Sequence, residues 1–277
     1  MTLIVNNDNF ERADLSVVVP VYNEERTLEK LIDRLAEVAG LKEIVIVDDC
    51  SVDRSPAIIE RLAERYPIIR SFRLEQNSGK TAAVCRGIAE TTGEIVMVQD
   101  ADLEYDPAEI PSVVEPIRGG YADVVYGSRF MVKKAARVVY FYHYLGNKAL
   151  TFFSNALTNV NLSDLETCYK AFRGDIIRNM RITSSGFGFE VEVTAKIAKL
   201  KCAMYEVPIS YYGRTYEEGK KITYRDGIAA LWYIIRFNLF CSLKSSFSEL
   251  PERSVKALHN TGFDLEASAP PQRTEAR

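Results

Sequence analysis

The chain is short of the residues that most often announce a chemistry. It has two histidines, His143 in an aromatic stretch and His259 in a polar tail, and neither reads as a catalytic base. Its five cysteines (Cys50, Cys85, Cys168, Cys202, Cys241) are odd in number, scattered and never in a Cys-x-x-Cys pair. That excludes a disulfide framework and a zinc knuckle, and predicts a reducing, cytoplasmic setting. Excess charge is missing too: 35 Lys and Arg against 38 Asp and Glu leave a net of −3, too little for broad electrostatic binding to nucleic acid. No charged start leads into an apolar stretch with a cleavage site, so secretion is not expected. The longest apolar segment, Ile228 to Leu243, is interrupted by Arg236, Asn238 and Ser242, and falls short of the roughly 20 residues that span a bilayer. Glycine is absent where two common nucleotide motifs need it. Val21-Tyr22-Asn23-Glu24-Glu25 occupies the turn where a dehydrogenase carries Gly-x-Gly-x-x-Gly, and Leu74 stands where a P-loop ending in Ser78-Gly79-Lys80-Thr81 needs glycine.

What is present is a regular alternation. With 277 residues, 47% of them hydrophobic, the chain can bury a sizeable core. The β-branched run Leu15 to Val19 predicts a buried strand. Leu28, Leu31, Ile32, Leu35 and Val38 recur at helical steps, with Gly40 as the expected C-terminal cap. Strands then follow at 43–48, 68–74, 94–99 and 123–126, separated by helices around Ile58 to Leu62, from Lys80 to Thr91 and from Pro107 to Arg118. Such order predicts an α/β fold with a mostly parallel sheet. Beyond Arg129 the alternation lapses into an aromatic, helical region (Val138 to Leu157), a late strand within Cys202 to Tyr211, and a polar tail from Ser246. The expected organisation is a short extension (1–14), a catalytic unit (15–223), an amphipathic helix (224–245) and the tail (246–277).

Four polar clusters end the predicted strands: Tyr22-Asn23-Glu24, Asp48-Asp49-Cys50-Ser51, Gln76-Asn77-Ser78-Gly79-Lys80 and Asp100-Ala101-Asp102. Each alone also serves as an ordinary helix cap or turn. In a parallel sheet these ends share one edge, where the helix amino termini that follow favour an anionic ligand. Asp100 and Asp102, one residue apart on extended chain, point the same way and repel unless a cation lies between them.

In this order, Pro20-Val21-Tyr22-Asn23-Glu24, Val47-Asp48-Asp49 with Ser51 and Asp53, Asn77-x-Gly79-Lys80 and Asp100-Ala101-Asp102 resemble family 2 glycosyltransferases of the GT-A fold. The similarity runs on through Gly127-Ser128-Arg129, Asp164 to Lys170 and Arg214 to Lys221, as in the dolichyl-phosphate mannose synthase branch, and covers about residues 15 to 243. The resemblance implies a Rossmann-like, mostly parallel central sheet with helices on both faces, followed by C-terminal amphipathic helices. It implies transfer of a sugar, with inversion, from a nucleotide-sugar to a polyprenyl phosphate (dolichyl or undecaprenyl), the alternative acceptor being a hydroxyl of a glycan.

Residue by residue, the resemblance assigns Pro20, Tyr22, Glu24, Val47 and Asp49 to the base and ribose. Lys80, Ala101, Arg129, Arg214 and Lys220 go to the donor and its phosphates. Asp100 and Asp102 would hold Mg2+ or Mn2+ against the diphosphate, with Glu104, where relatives often carry glutamine, completing the set. Asp164 is the candidate general base, although an ionised phosphate acceptor needs positioning more than deprotonation, which leaves an electrostatic role open. Glu190 would border the sugar pocket; with Glu192 it also fits a pair of helix-dipole caps. The segments Tyr140 to Phe153 and Leu231 to Phe237 read either as core or as a peripheral contact with the cytoplasmic face of a membrane.

Overall fold

The computed structural model describes residues 12–131, 140–186, 188–213 and 224–251. In chain order the elements are β1 (Leu15–Val21), α1 (Leu28–Leu35), β2 (Leu41–Asp48), α2 (Ser55–Arg65), β3 (Ile69–Arg73), α3 (Lys80–Glu90), β4 (Ile95–Val98) and α4 (Ile110–Arg118). They continue with β5 (Val124–Ser128), α5 (Phe141–Thr158), β6 (Lys170–Arg173), α6 (Gly174–Arg178), α7 (Phe189–Leu200), β7 (Met204–Pro208), α8 (Tyr224–Leu239) and α9 (Leu243–Ser246).

One sheet in the order β3-β2-β1-β4-β6-β5-β7 holds them together. β1 is parallel to both neighbours, Val17 lying beside Ile44 and Met97. Its side chains Leu15, Val17, Val18 and Val19 have no exposed surface, as expected for a strand covered by helices on both faces. On one flank, α1 buries Leu28, Leu31, Ile32 and Leu35. On the other, α3 approaches so closely that a Cβ at Gly87 would come within 2.3 Å of Val18 Cγ1. The chain passes from β1 to β2 on one side while β4 returns on the other, so a crevice opens at the carboxyl ends of β1 and β4, where the strand order reverses.

The expected parallel layout has one exception. β6 runs antiparallel between β4 and β5, pairing Ala171 with both Met97 and Val125. A reversed strand brings its start, not its end, to the edge where the other strands finish. The Asp164 to Tyr169 segment therefore joins the crevice. Gly40 is corrected as well: α1 ends at Leu35 with Ala36 as its cap. Gly40 instead accepts from the Asp14 and Leu15 amides at 3.1 Å, leading the chain into β2.

A smaller cluster of Leu165, Val191, Ala230 and Ile234, with Leu150 and Tyr233 against it, ties α5, α7 and α8 together. Their outer surfaces stay apolar, with Phe141, Tyr142, Phe152, Trp232 and Phe240 all more than half exposed. Among the described residues no helix is long and apolar enough to cross a membrane.

Candidate active site

The turns after β1 and β2 are stitched to each other. The Ser51 hydroxyl accepts from the Asn23 amide at 3.0 Å, the Ser55 hydroxyl from the Glu24 amide at 3.0 Å, and Asp53 from the Glu25 amide at 3.1 Å. Tyr22, on the turn after β1, is a little over one third exposed. Asp49 joins the next turn. Its two oxygens accept from the Ser78 and Gly79 amides at 2.7 and 2.8 Å. Gly79 there has φ +86°, a conformation that glycine adopts without strain, and it starts α3 with the helix amino terminus facing the crevice. Pro20, Tyr22, Glu24 and Asp49 are thus brought to one place. Val47 is not: its side chain is fully buried in the core, on the face that meets Gly87. Ala101 is likewise buried.

Lys80, the first residue of α3, links the end of β4 to the start of α7. Its Nζ lies 3.0 Å from Asp100 and 3.2 Å from Glu190. Burial works against the ammonium charge, yet the neighbouring carboxylates, Asp100 foremost, hold its pKa well above the ordinary value. For Asp100, burial pushes the carboxyl up, Lys80 pulls it down and Asp102 adds to the rise. Asp102 caps the Glu104 amide at 3.1 Å, and the Glu104 carboxylate accepts from the Tyr211 hydroxyl at 2.7 Å.

Among the described residues no three His, Cys, Asp or Glu side chains are arranged to hold a metal ion, so Asp100, Asp102 and Glu104 do not form a ready-made cage. Asp100 and Asp102 do lie close enough to act on each other electrostatically. Two hard oxygen donors fit the mode in which Mg2+ takes one or two carboxylates and completes its shell with phosphate oxygens and water.

Beside Tyr211, with its guanidinium 5.1 Å from the ring centroid, Arg129 grips Asp164 with a two-pronged pair: Nε to Oδ2 and Nη2 to Oδ1, both 2.7 Å, with the Arg129 amide adding a third bond at 3.0 Å. Asp164 is fully buried. Burial would raise its pKa, but the guanidinium more than compensates and the carboxyl lies below its usual range. Such a group holds charge and is a weak proton acceptor.

Between the two charged groups runs the segment preceding β6. Lys170 is fully buried and donates to the Leu165 carbonyl at 2.9 Å and to the Thr167 carbonyl, folding the segment over itself. Tyr169 stacks on Tyr105 with centroids 4.8 Å apart, and the Tyr105 hydroxyl accepts from the Cys168 amide at 3.2 Å. Glu166, which the residue pattern did not single out, falls inside this fold. Burial, reinforced by the Glu190 carboxylate, pushes its carboxyl up to about 7, against the pull of Lys170 and Arg129. Of the paired acids on α7, Glu192 is structural, accepting from the Thr183 and Ser184 amides at 2.9 and 2.7 Å. Glu190 instead faces Lys80. Arg214 and Lys220 lie outside the described residues.

A mostly parallel sheet with carboxylates, a lysine and a helix amino terminus at its switch point is a layout in which α/β enzymes bind phosphate-bearing ligands. Residues 16–181 match the model of glycosyl transferase family 2, and the chain belongs to that family. It is 32% identical over 210 residues to a dolichol-phosphate mannosyltransferase of Pyrococcus furiosus, a match covering 74% of this chain and 58% of that protein. It is 27% identical over 241 residues to an undecaprenyl-phosphate mannosyltransferase of Micrococcus luteus, covering 80% and 97%. Among solved structures, glucosyl-3-phosphoglycerate synthase of Mycobacterium tuberculosis, in complex with Mn2+, UDP and its product, superposes with a TM-score of 0.63 over 81% of this chain and 80% of that one. At 20% identity, that likeness shows a shared GT-A-type α/β fold.

Proposed function

We propose that the chain transfers a sugar, with inversion, from a nucleotide-sugar to a polyprenyl phosphate at a membrane surface. The observation that carries this reading is the arrangement of the crevice: the amino terminus of α3, Lys80 and the Asp100–Asp102 pair on one side, the Arg129–Asp164 clamp on the other. The relatives named above, whose names specify polyprenyl-phosphate acceptors, support the acceptor class.

In this reading the turns after β1 and β2 receive the nucleoside, and the diphosphate lies near the start of α3. A bound Mg2+ or Mn2+, held by Asp100 and Asp102, would offset the charge that builds on the departing diphosphate. The acceptor phosphate oxygen attacks the anomeric carbon from the face opposite the leaving group. The bond from that carbon to the donor diphosphate breaks as the new bond to the acceptor forms. A phosphate already ionised near neutral pH supplies its own nucleophile, so Asp164, paired and acidic, serves to orient Arg129 toward negative charge rather than to remove a proton. The apolar outer faces of α5 and α8, rich in Tyr, Phe and Trp, suit the interfacial layer of a bilayer in which the acceptor sits.

Labelled UDP- and GDP-sugars, incubated with the protein, Mg2+ or Mn2+, and either undecaprenyl or dolichyl phosphate, test the reading. Label is expected in the organic extract only with lipid phosphate present. Label in a water-soluble glycan and none in lipid overturns the acceptor assignment.

A further inference from the structure

The buried carboxylate oxygens that lack a hydrogen-bond donor among the described residues are Asp48 Oδ2, Glu166 Oε1 and Glu190 Oε2. The first faces Arg73 at 3.2 Å, so its charge is answered. The other two belong to side chains that act on each other electrostatically and share the field of Lys170, whose ammonium spends its hydrogen bonds on the Leu165 and Thr167 carbonyls. Glu190 is about nineteen-twentieths buried and spends its second oxygen on Lys80, which in turn holds Asp100. Glu190 therefore lies one ammonium group away from Asp100, at the end of the crevice assigned to the diphosphate, and Glu166 interacts with Glu190. A buried acceptor with no donor is costly, and natural folds keep one where a ligand supplies what the protein withholds.

The local fold explains how Glu166 reaches this place. Lys170 draws the Leu165 and Thr167 carbonyls to itself, and the intervening residue is left directed at α7. The segment comes to the edge only because β6 runs backwards.

We infer that Glu166 and Glu190 form the floor of the donor-sugar subsite, each accepting a hydroxyl of the transferred sugar, and that the subsite selects uncharged sugars over uronic acids. The inference rests on the donor site proposed above. Three acids, Asp100, Glu166 and Glu190, surround the subsite from β4, the β6 approach and α7, against Lys80 and Lys170. A sugar carboxylate placed there adds like charge and brings no donor to the two oxygens, whereas a neutral hexose answers both.

The test is calorimetric, with Mg2+ present throughout. UDP, UDP-glucose and UDP-glucuronate form one series, and GDP, GDP-mannose and GDP-mannuronate the other. Wild type is expected to bind one nucleoside diphosphate and to bind its neutral sugar nucleotide more tightly than the uronate. Glu166→Leu should leave the bare diphosphate affinity within about twofold, cut that of the neutral sugar nucleotide about tenfold, and shrink the discrimination against the uronate. Glu166→Gln, which keeps the shape and one acceptor, should fall between the two. Both variants should melt no lower than wild type, which a structural role for Glu166 would not allow. If either folded variant keeps the wild-type ratio of sugar-nucleotide to diphosphate affinity, the sugar floor is overturned while the donor site stands. If wild type binds neither diphosphate, the donor site falls and the floor falls with it.

Discussion

Two acids near the same sheet edge, Asp164 fully buried and Glu166 partly exposed with one oxygen sealed from solvent, have opposite surroundings. Asp164 receives two guanidinium bonds and an amide bond, and is acidic. Glu166 shares a neighbourhood with Glu190, keeps an oxygen with no donor, and titrates at about 7. Desolvation pushes both carboxyls up, so it is their partners that set the difference. One acid is finished by the protein; the other is left for something that arrives.

The largest expected effect comes from breaking the finished pair. Asp164→Ala strands Arg129 in a buried site and should cost about 3–5 kcal/mol in urea unfolding, whereas a double replacement by apolar residues, Arg129→Met with Asp164→Leu, should recover most of that loss. Transfer activity should not return in the double variant, because charge toward the acceptor is gone. Next in size, Lys80→Met removes the cation that bonds both Asp100 and Glu190, and the transfer rate measured with lipid phosphate should fall on the order of 10²-fold.

On the unfinished side the sign reverses. Removing the unanswered carboxylate in Glu166→Leu should raise stability by about 1–3 kcal/mol. Its pH dependence follows from the raised pKa. Between the ordinary value of 4.5 and about 7, the folded protein holds a proton that the unfolded chain has released, so this group's contribution to stability falls as pH rises through that window. The charged groups that face it are Glu190 from α7, Lys170 from β6, Arg129 beyond β5 and Asp164 on its own segment. Melting curves of wild type minus Glu166→Leu, taken from pH 4.5 to 7.5, should show that slope; a flat difference would mean Glu166 is ordinary. The smallest effect belongs to exposed pairs such as Arg61 with Glu29, 2.8 Å apart and roughly half exposed, where Glu29→Ala should change stability by no more than about 0.5 kcal/mol.

Much of the frame was legible because it rests on local pattern. The β-branched runs at Leu15 and Ile44 and the three- and four-residue steps from Leu28 to Leu35 become the strands and helix they predict. Strand ends with polar residues in register also predicted a shared edge correctly. β6 was not legible, since Lys170-Ala171-Phe172-Arg173 is four residues long, carries a cation at each end and owes its strand state to neighbours on both sides. Glu166 was hidden for the same reason. Its meaning depends on Glu190, which is far away in sequence and arrives on α7. Lys80 was read as a nucleotide-sugar-binding residue, and its two carboxylate partners could be found only once α3, β4 and α7 were placed in space.

The reversed strand also bears on how such an enzyme can change what it transfers. Along the parallel strands, a new residue at the edge must respect the helix that follows, because strand, turn and helix share one crossover. The six residues before β6 reach the crevice from the sheet edge, held by the Lys170 ammonium, by the Arg129–Asp164 pair and by Tyr169 stacked on Tyr105. Among them Glu166 is partly exposed and keeps an oxygen with no donor, so in the donor-sugar reading a change at that one position can alter sugar preference without shifting the register of any parallel strand.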